Sequence, residues 1–534
     1  MSGSSIDDVR AAIEAGRATL GIEFGSTRIK ACLIGDDPAT VIAAGGHEWE
    51  NSFVDRVWTY SLDEVWTGVQ AAYSELVADV EQRYGVRPES FAAIGISAMM
   101  HGYLAFAADD ELLVPFRTWR NTTTGPASDA LTDRFGVNIP LRWSIAHLYQ
   151  AVLDDESHVA EIRSLNTLAG YVHWKLTGRR VLGVGDASGM FPIDVATRDY
   201  DEDLIARFDS LVSESPLSVG LRDLLPEVLV AGEQAGRLTA EGAALLDPSG
   251  LLQPGAVFCP PEGDAGTGMV ATQAVAPRTG NVSAGTSIFA MVVLERPLSG
   301  VHSELDIVTT PAGDAVAMVH CNNGASELAA WAGLFSRFAT AAGTPIDSDA
   351  VYETLFREAL DAEPDAGGLV AFNYLAGEPI AGLDEGRPLV VRGPDSRLTL
   401  GNFFRAQLYS VFGTLSLGMR VLADEGVEVD RLFAHGGMFR TAGVAQRFLA
   451  GALDAPVAVA ETASEGGAWG IAVLAAFTAA PAKNDLDSYL RDAVFADAVF
   501  DIAEPDPADV AGFAAFLDRY RDGLAVERAA VDAL

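Results

Sequence analysis

The segments Gly21-Ile-Glu-Phe-Gly-Ser-Thr-Arg-Ile-Lys30 and Gly280-Asn-Val-Ser-Ala-Gly-Thr-Ser-Ile-Phe289 share one plan, although more than two hundred residues separate them. In each, an apolar, strand-like stretch enters a turn of glycine and hydroxyl residues and then returns as another strand. Glycine lets backbone N–H groups come close to a ligand, and such turns can bind phosphate oxygens. A single turn of this kind is more typical of an ordinary hairpin. Two copies, one opening each half of the chain, predict a duplicated nucleotide clamp with phosphate held between the halves.

Length and charge limit the class of protein. The chain has 534 residues, more than one hydrophobic core usually organises, so we expect two large domains. A formal net charge of −38 disfavours nucleic acid or an anionic membrane as a partner. A small anionic ligand is still compatible, because backbone dipoles and a bound cation act locally.

Cysteine usage and the start of the chain indicate a cytoplasmic protein. Cys32, Cys259 and Cys321 are few and far apart, which fits a reducing compartment and gives no metal-ligand spacing. The first residues have no signal-peptide pattern, and no uncharged apolar run approaches ~20 residues. A homodimer is possible, but the sequence does not decide the oligomeric state.

Apolar periodicity predicts mixed strands and helices in both halves. In the first half we expect helices at 5–17 and 61–83, strands at 18–23, 29–34, 47–51 and 91–97, and a helical stretch over 144–180 that breaks at Gly178. In the second half we expect strands at 279–284, 287–294, 315–320, 432–435 and 456–459, and helices at 325–341, 348–360, 402–422, 443–453, 466–479 and 505–534. This mixture predicts α/β layers with the ligand at the carboxyl ends of strands.

A glycine-rich stretch, Glu262-Gly-Asp-Ala-Gly-Thr-Gly268, supplies the best candidate for a general base. It lies in the region 255–275, where prolines and glycines cluster and where we place a flexible hinge between domains. Phosphoryl transfer needs a carboxylate that orients the attacking hydroxyl and accepts its proton. Asp264 is that candidate. The alternative is a turn aspartate that hydrogen-bonds its own backbone.

Side chains at the two turns are candidates for holding phosphate and metal. In the first turn, Ser26 and Thr27, with the backbone of Gly25, are candidate phosphate donors, Lys30 could neutralise phosphate charge, and Glu23 could hold a metal-bound water. A solvated strand lysine is the alternative for Lys30. The second turn offers an equivalent set of candidates, with the same ambiguity: Gly285, Thr286 and Ser287.

Three further segments carry candidate binding residues. Gly436 and Gly437, in the segment that ends at Arg440, would let a nucleoside lie against bare backbone, although a tight strand-helix turn also explains them. Met100 and His101 follow a predicted strand and could line a sugar pocket. A single histidine there is more often structural. Asp186 could bond sugar hydroxyls, or serve as a cap or turn residue.

Taken in order, these motifs resemble the FGGY carbohydrate kinases, a branch of the actin-like ATPase superfamily, over most of residues 18–480. The first turn resembles the family's first phosphate motif, the second turn its second phosphate motif, and 435–437 its adenosine motif. Asp264 occupies the place of the family's catalytic base. The resemblance implies two actin-like (ribonuclease H-like) domains with ATP, Mg²⁺ and sugar in a cleft between them, sugar mainly on the first domain.

The resemblance also divides the chain. We expect an N-terminal helix at 1–17, an FGGY N-terminal domain at 18–265 that binds sugar and ends near the base, an adenosine-binding C-terminal domain at 266–500, and a helix at 501–534 packed on the body. Two departures stand out: Glu23 replaces the usual aspartate, and Met438-Phe-Arg440 replaces smaller residues in the adenosine motif. Arg440 is nevertheless included among the nucleotide-binding candidates.

Within the family, Met100-His-Gly102 and Tyr374-Leu-Ala-Gly-Glu378 look most like xylulokinases, whereas the spacing from Gly437 to Pro456 looks closer to ribulokinases. We therefore expect a pentulose kinase, with D-xylulose first and L-ribulose second. Two rivals are an actin-like ATPase that serves as a chaperone or filament protein, and a sugar-binding regulator without catalysis. No separate peptide-binding module follows residue 480, and the carboxylate at 264 is present, so both rank lower.

Overall fold

The computed structural model describes residues 5–441, 443–460, 466–481 and 485–534, and it does not describe the side chain of Arg440. The chain forms two compact units. The first contains Met1–Val275, Ile307–Val316 and Ser464–Asp497, and the second contains Ala276–Asp306, Ala317–Ala463 and Ala498–Leu534.

The elements used below are labelled in chain order. The helices are α1 (Ile6–Glu14), α2 (Leu62–Tyr84), α3 (Asp264–Ala271), α4 (Ser326–Ala341), α5 (Ser348–Leu360), α6 (Leu400–Asp424), α7 (Gly466–Ala479) and α8 (Pro507–Ala533). The strands are β1 (Thr19–Phe24), β2 (Arg28–Ile34), β3 (Val41–Glu48), β4 (Ala93–Ala98), β5 (Thr279–Ala284), β6 (Ile288–Val293), β7 (Ala315–Cys321), β8 (Arg431–His435), β9 (Val457–Ala460) and β10 (Phe500–Ala503).

The first unit is built on a sheet in which β1 lies between β2 and β4. β1 pairs antiparallel with β2 and parallel with β4, and β2 pairs antiparallel with β3. Beyond β4, the short strands Val257–Phe258 and Glu262–Gly263 both pair parallel with it. The carboxyl ends of β1, β4 and Glu262–Gly263 therefore lie at one edge of the sheet, as expected for a ligand site in a sheet of this kind.

Helices cover both faces of this sheet. Alternate residues of β1, including Leu20 and Ile22, join the large core formed with α2. The intervening Gly21 faces α7, and a Cβ there would lie 2.2 Å from the carbonyl oxygen of Ala468. Close contact between this strand and α7 thus requires glycine.

Serine caps begin the first two helices. Ser5 accepts a hydrogen bond from the N–H of Asp8, and the Asp8 carboxylate accepts one from the N–H of Ser5. Ser61 and Glu64 form the same reciprocal pair at α2. These capping boxes satisfy N–H groups that a helix leaves without intrahelical partners.

The continuous helical stretch expected at 144–180 is wrong. The structure has two helices, Ser144–Leu153 and Leu168–Thr177, and between them the strand Ser164–Asn166 pairs antiparallel with Leu104–Phe106. The break at Gly178 is confirmed, because this glycine ends the second helix in the left-handed conformation.

The second unit contains most of a seven-stranded sheet, in which β7, β6, β5, β8, β9 and β10 are neighbours in that order. β5 pairs antiparallel with β6 across the second turn and parallel with β8. The C-terminal helix α8 is anchored in this unit. The Tyr520 hydroxyl hydrogen-bonds Tyr374 and Thr414, and the buried carboxylate of Asp509 pairs with Arg405.

The first unit differs from the predicted N-terminal domain at three places. It extends to Val275, and it takes in Ile307–Val316 and Ser464–Asp497, which were predicted for the second domain. No helix in the described ranges is long and apolar enough to cross a membrane.

Candidate active site

The predicted site residues form two groups, one within each unit. In the first unit, the turn 25–27 joins β1 to β2, and the N–H of Gly25 donates to the carbonyl oxygen of Arg28 at 3.0 Å. Ser26 is half-buried and Thr27 is exposed. The turn is short and closed by its own backbone, so the two hydroxyl residues lie at its tip.

Glu23 and Lys30 are cross-strand partners next to this turn. The Lys30 Nζ lies 3.5 Å from Oε2 of Glu23. Burial raises the pKa of Glu23, and the lysine charge opposes that rise. Apart from this ion pair, Oε2 accepts no hydrogen bond from the described residues. Lys30 is thus partly buried and paired with a carboxylate, contrary to the alternative of a solvated strand lysine.

Asp264 is the first residue of α3, so it lies at a strand-helix junction and not within an irregular glycine-rich loop. The N–H of Met100, just after β4, donates to Oδ1 of Asp264 at 3.0 Å. Asp264 as a whole residue is exposed. The surrounding protein nevertheless desolvates its carboxyl group, and this desolvation raises its pKa. Hydrogen bonds from Met100 and Ala265 N–H groups oppose the rise. The strand-helix junction therefore sets the direction of the carboxylate.

Asp186 lies fully buried close to that junction. Its Oδ2 accepts a hydrogen bond from the Thr167 hydroxyl at 2.6 Å, and its Oδ1 has no donor among the described residues. Burial raises its pKa to about 7, and the Asp264 charge adds to the rise. A buried carboxyl oxygen without a donor is costly, so it favours a ligand that supplies one.

Glu262 is a buried neighbour of Asp186 that was not among the predicted site residues. Its Oε2 accepts a hydrogen bond from the N–H of Asp186 at 2.9 Å, and its carboxyl leaves no room for a Cβ at Gly183 or Gly185. Burial and the nearby Asp186 raise its pKa well above the ordinary value. This side chain ties the Asp186 segment to the strand that leads into Asp264. Local sequence gave no signal, since the partners are 76 residues apart.

His101 follows Met100 in a left-handed conformation, with φ of 72°. It is buried, its Nδ1 lies 3.2 Å from the carbonyl oxygen of Gly189, and its ring stacks on Trp143. A strained backbone held by packing is common at ligand sites. The structure therefore places His101 beside the segment that contains Asp186.

In the second unit, the predicted glycine turns border one pocket of about 690 Å³. Gly285 and Thr286 of the second turn and Gly437 contribute to its lining, together with residues of α4 and α5. Ser287 lies outside the lining. Gly436 has φ of 114°, and a Cβ there would lie 2.2 Å from the Ala284 carbonyl oxygen. Glycine is thus required where this turn touches the end of β5.

The residues that depart from the adenosine motif lie in different places relative to the pocket. Met438 lines the pocket and is buried, and Phe439 is buried without belonging to the lining. The predicted contact of the Arg440 side chain lies outside the described residues. Tyr352 and Phe356 on α5 form another part of the wall, with their rings in edge contact at 6.2 Å. Neither of these aromatic residues was among the predicted site residues.

The segment after β7 is held by a buried carboxyl. Asn323 donates to Glu378 through its Nδ2 at 3.1 Å, and its Oδ1 accepts from the N–H groups of Leu375 and Ala376. Burial raises the pKa of Glu378 to about 7. The next residue, Gly324, donates its N–H to the carbonyl oxygen of Thr286 at 2.8 Å. The motif Tyr374–Glu378 therefore holds Asn323, and the next residue, Gly324, is hydrogen-bonded to the second turn.

Among the described residues, no group of three or more acidic, histidine or cysteine side chains is arranged to hold a metal ion.

Both halves of the chain match models of one protein family. Residues 18–251 match the N-terminal domain, and residues 280–479 the C-terminal domain, of the FGGY family of carbohydrate kinases. Together the two matches cover most of the chain.

Individual relatives are distant. The chain is 21% identical over 429 residues to a xylulose kinase of Haemophilus influenzae, covering 78% of this chain and 82% of the relative. It is 24% identical over 254 residues to a glycerol kinase of Nocardia farcinica, covering 44% of this chain and 47% of that protein.

Among solved structures, a xylulose kinase from Rhodospirillum rubrum aligns with a TM-score of 0.77 at 21% identity, covering 96% of this chain and 99% of that one. The fold is therefore the two-domain, actin-like (ribonuclease H-like) fold predicted from the sequence. The chain belongs to the FGGY family of carbohydrate kinases, and it is an ATP-dependent phosphotransferase with an alcohol group as acceptor.

Proposed function

We propose that this kinase phosphorylates the terminal hydroxyl of a pentulose, with D-xylulose converted to D-xylulose 5-phosphate as the first candidate. The hydrogen bond from Met100 to Asp264 carries the proposal, because it joins the segment expected to line the sugar pocket directly to the candidate base. A base so placed lies within reach of a hydroxyl on a sugar bound against Met100 and His101.

Asp264 accepts the proton of the attacking hydroxyl in this proposal. An elevated pKa makes a carboxylate a stronger base, provided that it is ionised at the working pH. The N–H donors of Met100 and Ala265 favour the ionised form and keep its orientation. Desolvation strengthens Asp264 as a base, and the N–H donors keep it ionised. This balance suits a carboxylate that takes up a proton transiently.

The sugar is held by Asp186 and His101 in this proposal. A sugar hydroxyl that donates to Oδ1 of Asp186 would satisfy the buried oxygen that now lacks a donor. His101 adds a polar ring beside the Asp186 segment. Ketose orientation would follow from these directional contacts, since hydrogen bonds discriminate hydroxyl configurations more sharply than apolar surface does.

The nucleotide binds the pocket of the second unit in this proposal. Aromatic and apolar side chains of α5 provide surface for the adenine, and Gly437 lets the nucleoside approach the backbone. Each turn, within its own unit, offers hydrogen-bond donors to phosphate oxygens: Gly285 and Thr286 in the second unit, and Ser26 and Thr27 in the first. Lys30 adds positive charge next to the first turn.

Mg²⁺ fits this donor set as an ion held mainly by nucleotide phosphates. Mg²⁺ keeps several waters and needs only one or two protein carboxylates. Glu23 is the candidate, because its buried Oε2 has a lone pair free to accept from a metal-bound water. The nearby Lys30 ammonium disfavours direct coordination. When bound, the ion would neutralise charge on the transferred phosphoryl group.

A coupled ATP-consumption assay over D-xylulose, L-ribulose, hexuloses, gluconate and glycerol tests the proposal. We expect D-xylulose to give the highest kcat/KM and a 5-phosphate product. Preference for L-ribulose would support the second pentulose candidate. Preference for glycerol or gluconate, or ATP hydrolysis that responds to none of these, would overturn it.

A further inference from the structure

The carbonyl groups of the first turn are all occupied by donors from outside the turn. The indole Nε1–H of Trp49 donates to the carbonyl oxygen of Gly25 at 2.7 Å, and the Tyr60 hydroxyl donates to that of Ser26 at 2.6 Å. The backbone N–H of Trp49 donates to the carbonyl oxygen of Thr27 at 3.1 Å. Three consecutive carbonyls are thus fixed by two aromatic residues.

The N–H groups at the tip of this turn are left available. Those of Ser26 and Thr27 donate to no acceptor within the described ranges. Carbonyl oxygens carry partial negative charge, and N–H groups carry partial positive charge. Turning three carbonyls away therefore presents a surface that attracts an anion and does not repel it.

The second turn has the same arrangement with different donors. The carbonyl oxygens of Gly285 and Thr286 accept hydrogen bonds from the backbone N–H groups of Ala325 and Gly324, both at 2.8 Å. Backbone donors are removed only by proline, which also changes the backbone conformation. In the first turn, two of the three donors are side chains, so the contribution of carbonyl orientation can be measured there.

Trp49 and Tyr60 form a rigid pair. Their rings stack with centroids 4.1 Å apart, and they are 8% and 1% exposed. Trp49 also packs against Phe24 at the end of β1. Rings buried in this way hold their donors in one orientation before ligand binds, which reduces the entropy lost on binding.

We propose that Trp49 and Tyr60 are positioning residues for phosphoryl transfer: they hold the carbonyls of Gly25 and Ser26 away so that the turn presents its N–H groups to the nucleotide phosphates. This inference rests on the proposed binding of ATP phosphates by the first turn. Neither side chain is required to touch the substrate.

The test uses Trp49→Phe and Tyr60→Phe in the full chain, since each removes one donor and keeps an aromatic ring. For each, we expect kcat/KM for ATP to fall about tenfold, with the sugar KM unchanged. Trp66→Phe is the matched control. It removes an indole N–H that donates to the Tyr171 hydroxyl in the same unit, and not to a carbonyl of the turn. It should leave both kinetic parameters unchanged.

The outcomes separate this inference from the proposed function. An inactive wild-type protein would refute the kinase assignment of the site, whatever the variants do. An active wild type with variants that match it in ATP kinetics would overturn the positioning role alone. Equal losses toward ATP and sugar, together with a lower unfolding temperature, would show a merely structural role and also overturn it. Should Trp49→Phe fail to fold, Tyr60→Phe decides the question.

Discussion

The N–H of Met100 donates to Oδ1 of Asp264 at 3.0 Å, so a residue just after β4 orients the carboxylate that begins α3. Replacing that carboxylate by an amide should keep the geometry and remove the basicity. We expect Asp264→Asn to lower kcat by at least about 100-fold. The measurement is ATP consumption at saturating sugar.

Sugar binding by this variant provides the control. Isothermal titration should give a sugar affinity close to that of the wild type, because the oxygen of the new side-chain amide can still accept the Met100 hydrogen bond. Near-normal turnover would contradict the role of Asp264 as base.

The pair of Glu23 and Lys30 gives a prediction about metal dependence. We expect Glu23→Gln to raise the Mg²⁺ concentration for half-maximal activity about tenfold, because an amide accepts a hydrogen bond from metal-bound water less strongly than a carboxylate. Glu23→Asp keeps the charge and should remain active with Mg²⁺. Mg²⁺ titrations at fixed ATP check both. An unchanged Mg²⁺ requirement in the glutamine variant would rule out this role.

Asp186 should make stability depend on pH. Its pKa in the folded protein is about 7, above the ordinary value of 3.8, so the folded state favours the protonated form. The free energy of unfolding is therefore highest, with respect to this group, below pH 4, and it declines as pH rises to about 7. Asp186→Asn removes that decline.

Denaturant unfolding of wild type and Asp186→Asn at pH 4.5 and pH 8 measures the effect. From pH 4.5 to pH 8, the difference in free energy of unfolding between the variant and wild type should shift in favour of the variant. The shift should be at most about 4 kcal/mol. A constant difference between the two proteins would show that the carboxyl keeps an ordinary pKa.

The buried ion pair of Arg405 and Asp509 should stabilise the second unit. Both side chains are nearly inaccessible, and Asp509 also pairs with Arg447. Asp509→Asn would leave the buried arginine without a counter-charge, at a cost of about 3 kcal/mol. A lower midpoint of thermal unfolding checks this result.

Asp518 is the matched control on the same helix. Its carboxylate is exposed and pairs with Arg521 at 3.4 Å, so Asp518→Asn should change stability by less than about 1 kcal/mol. Equal effects of the two substitutions would contradict the importance of burial.

Local sequence predicted the elements around both turns well. The expected strands at 18–23 and 279–284 correspond to Thr19–Phe24 and Thr279–Ala284. Turn chemistry and apolar alternation are local signals, so they suffice at these places. The helical stretch at 144–180 failed because the strand Ser164–Asn166 depends on pairing with a segment about sixty residues earlier.

The site was only partly predictable for the same reason. Asp264 and the glycine turns stand in recognisable motifs. Glu262, Trp49 and Tyr60 act through hydrogen bonds to residues 24 to 76 positions away, and nothing in their immediate neighbours indicates those partners. Side chains that support a site from a distance are found through packing, which sequence periodicity does not encode.

The contact between Gly21 and α7 has a consequence for biosynthesis. One side of the N-terminal sheet stays uncovered until nearly five hundred residues have left the ribosome, because its covering helix is encoded at Gly466–Ala479. A fragment that stops at residue 275 would expose apolar β-strands to other nascent chains. The gene is thus poorly suited to division into separately expressed halves, and chaperone demand during translation should be highest before that late helix emerges.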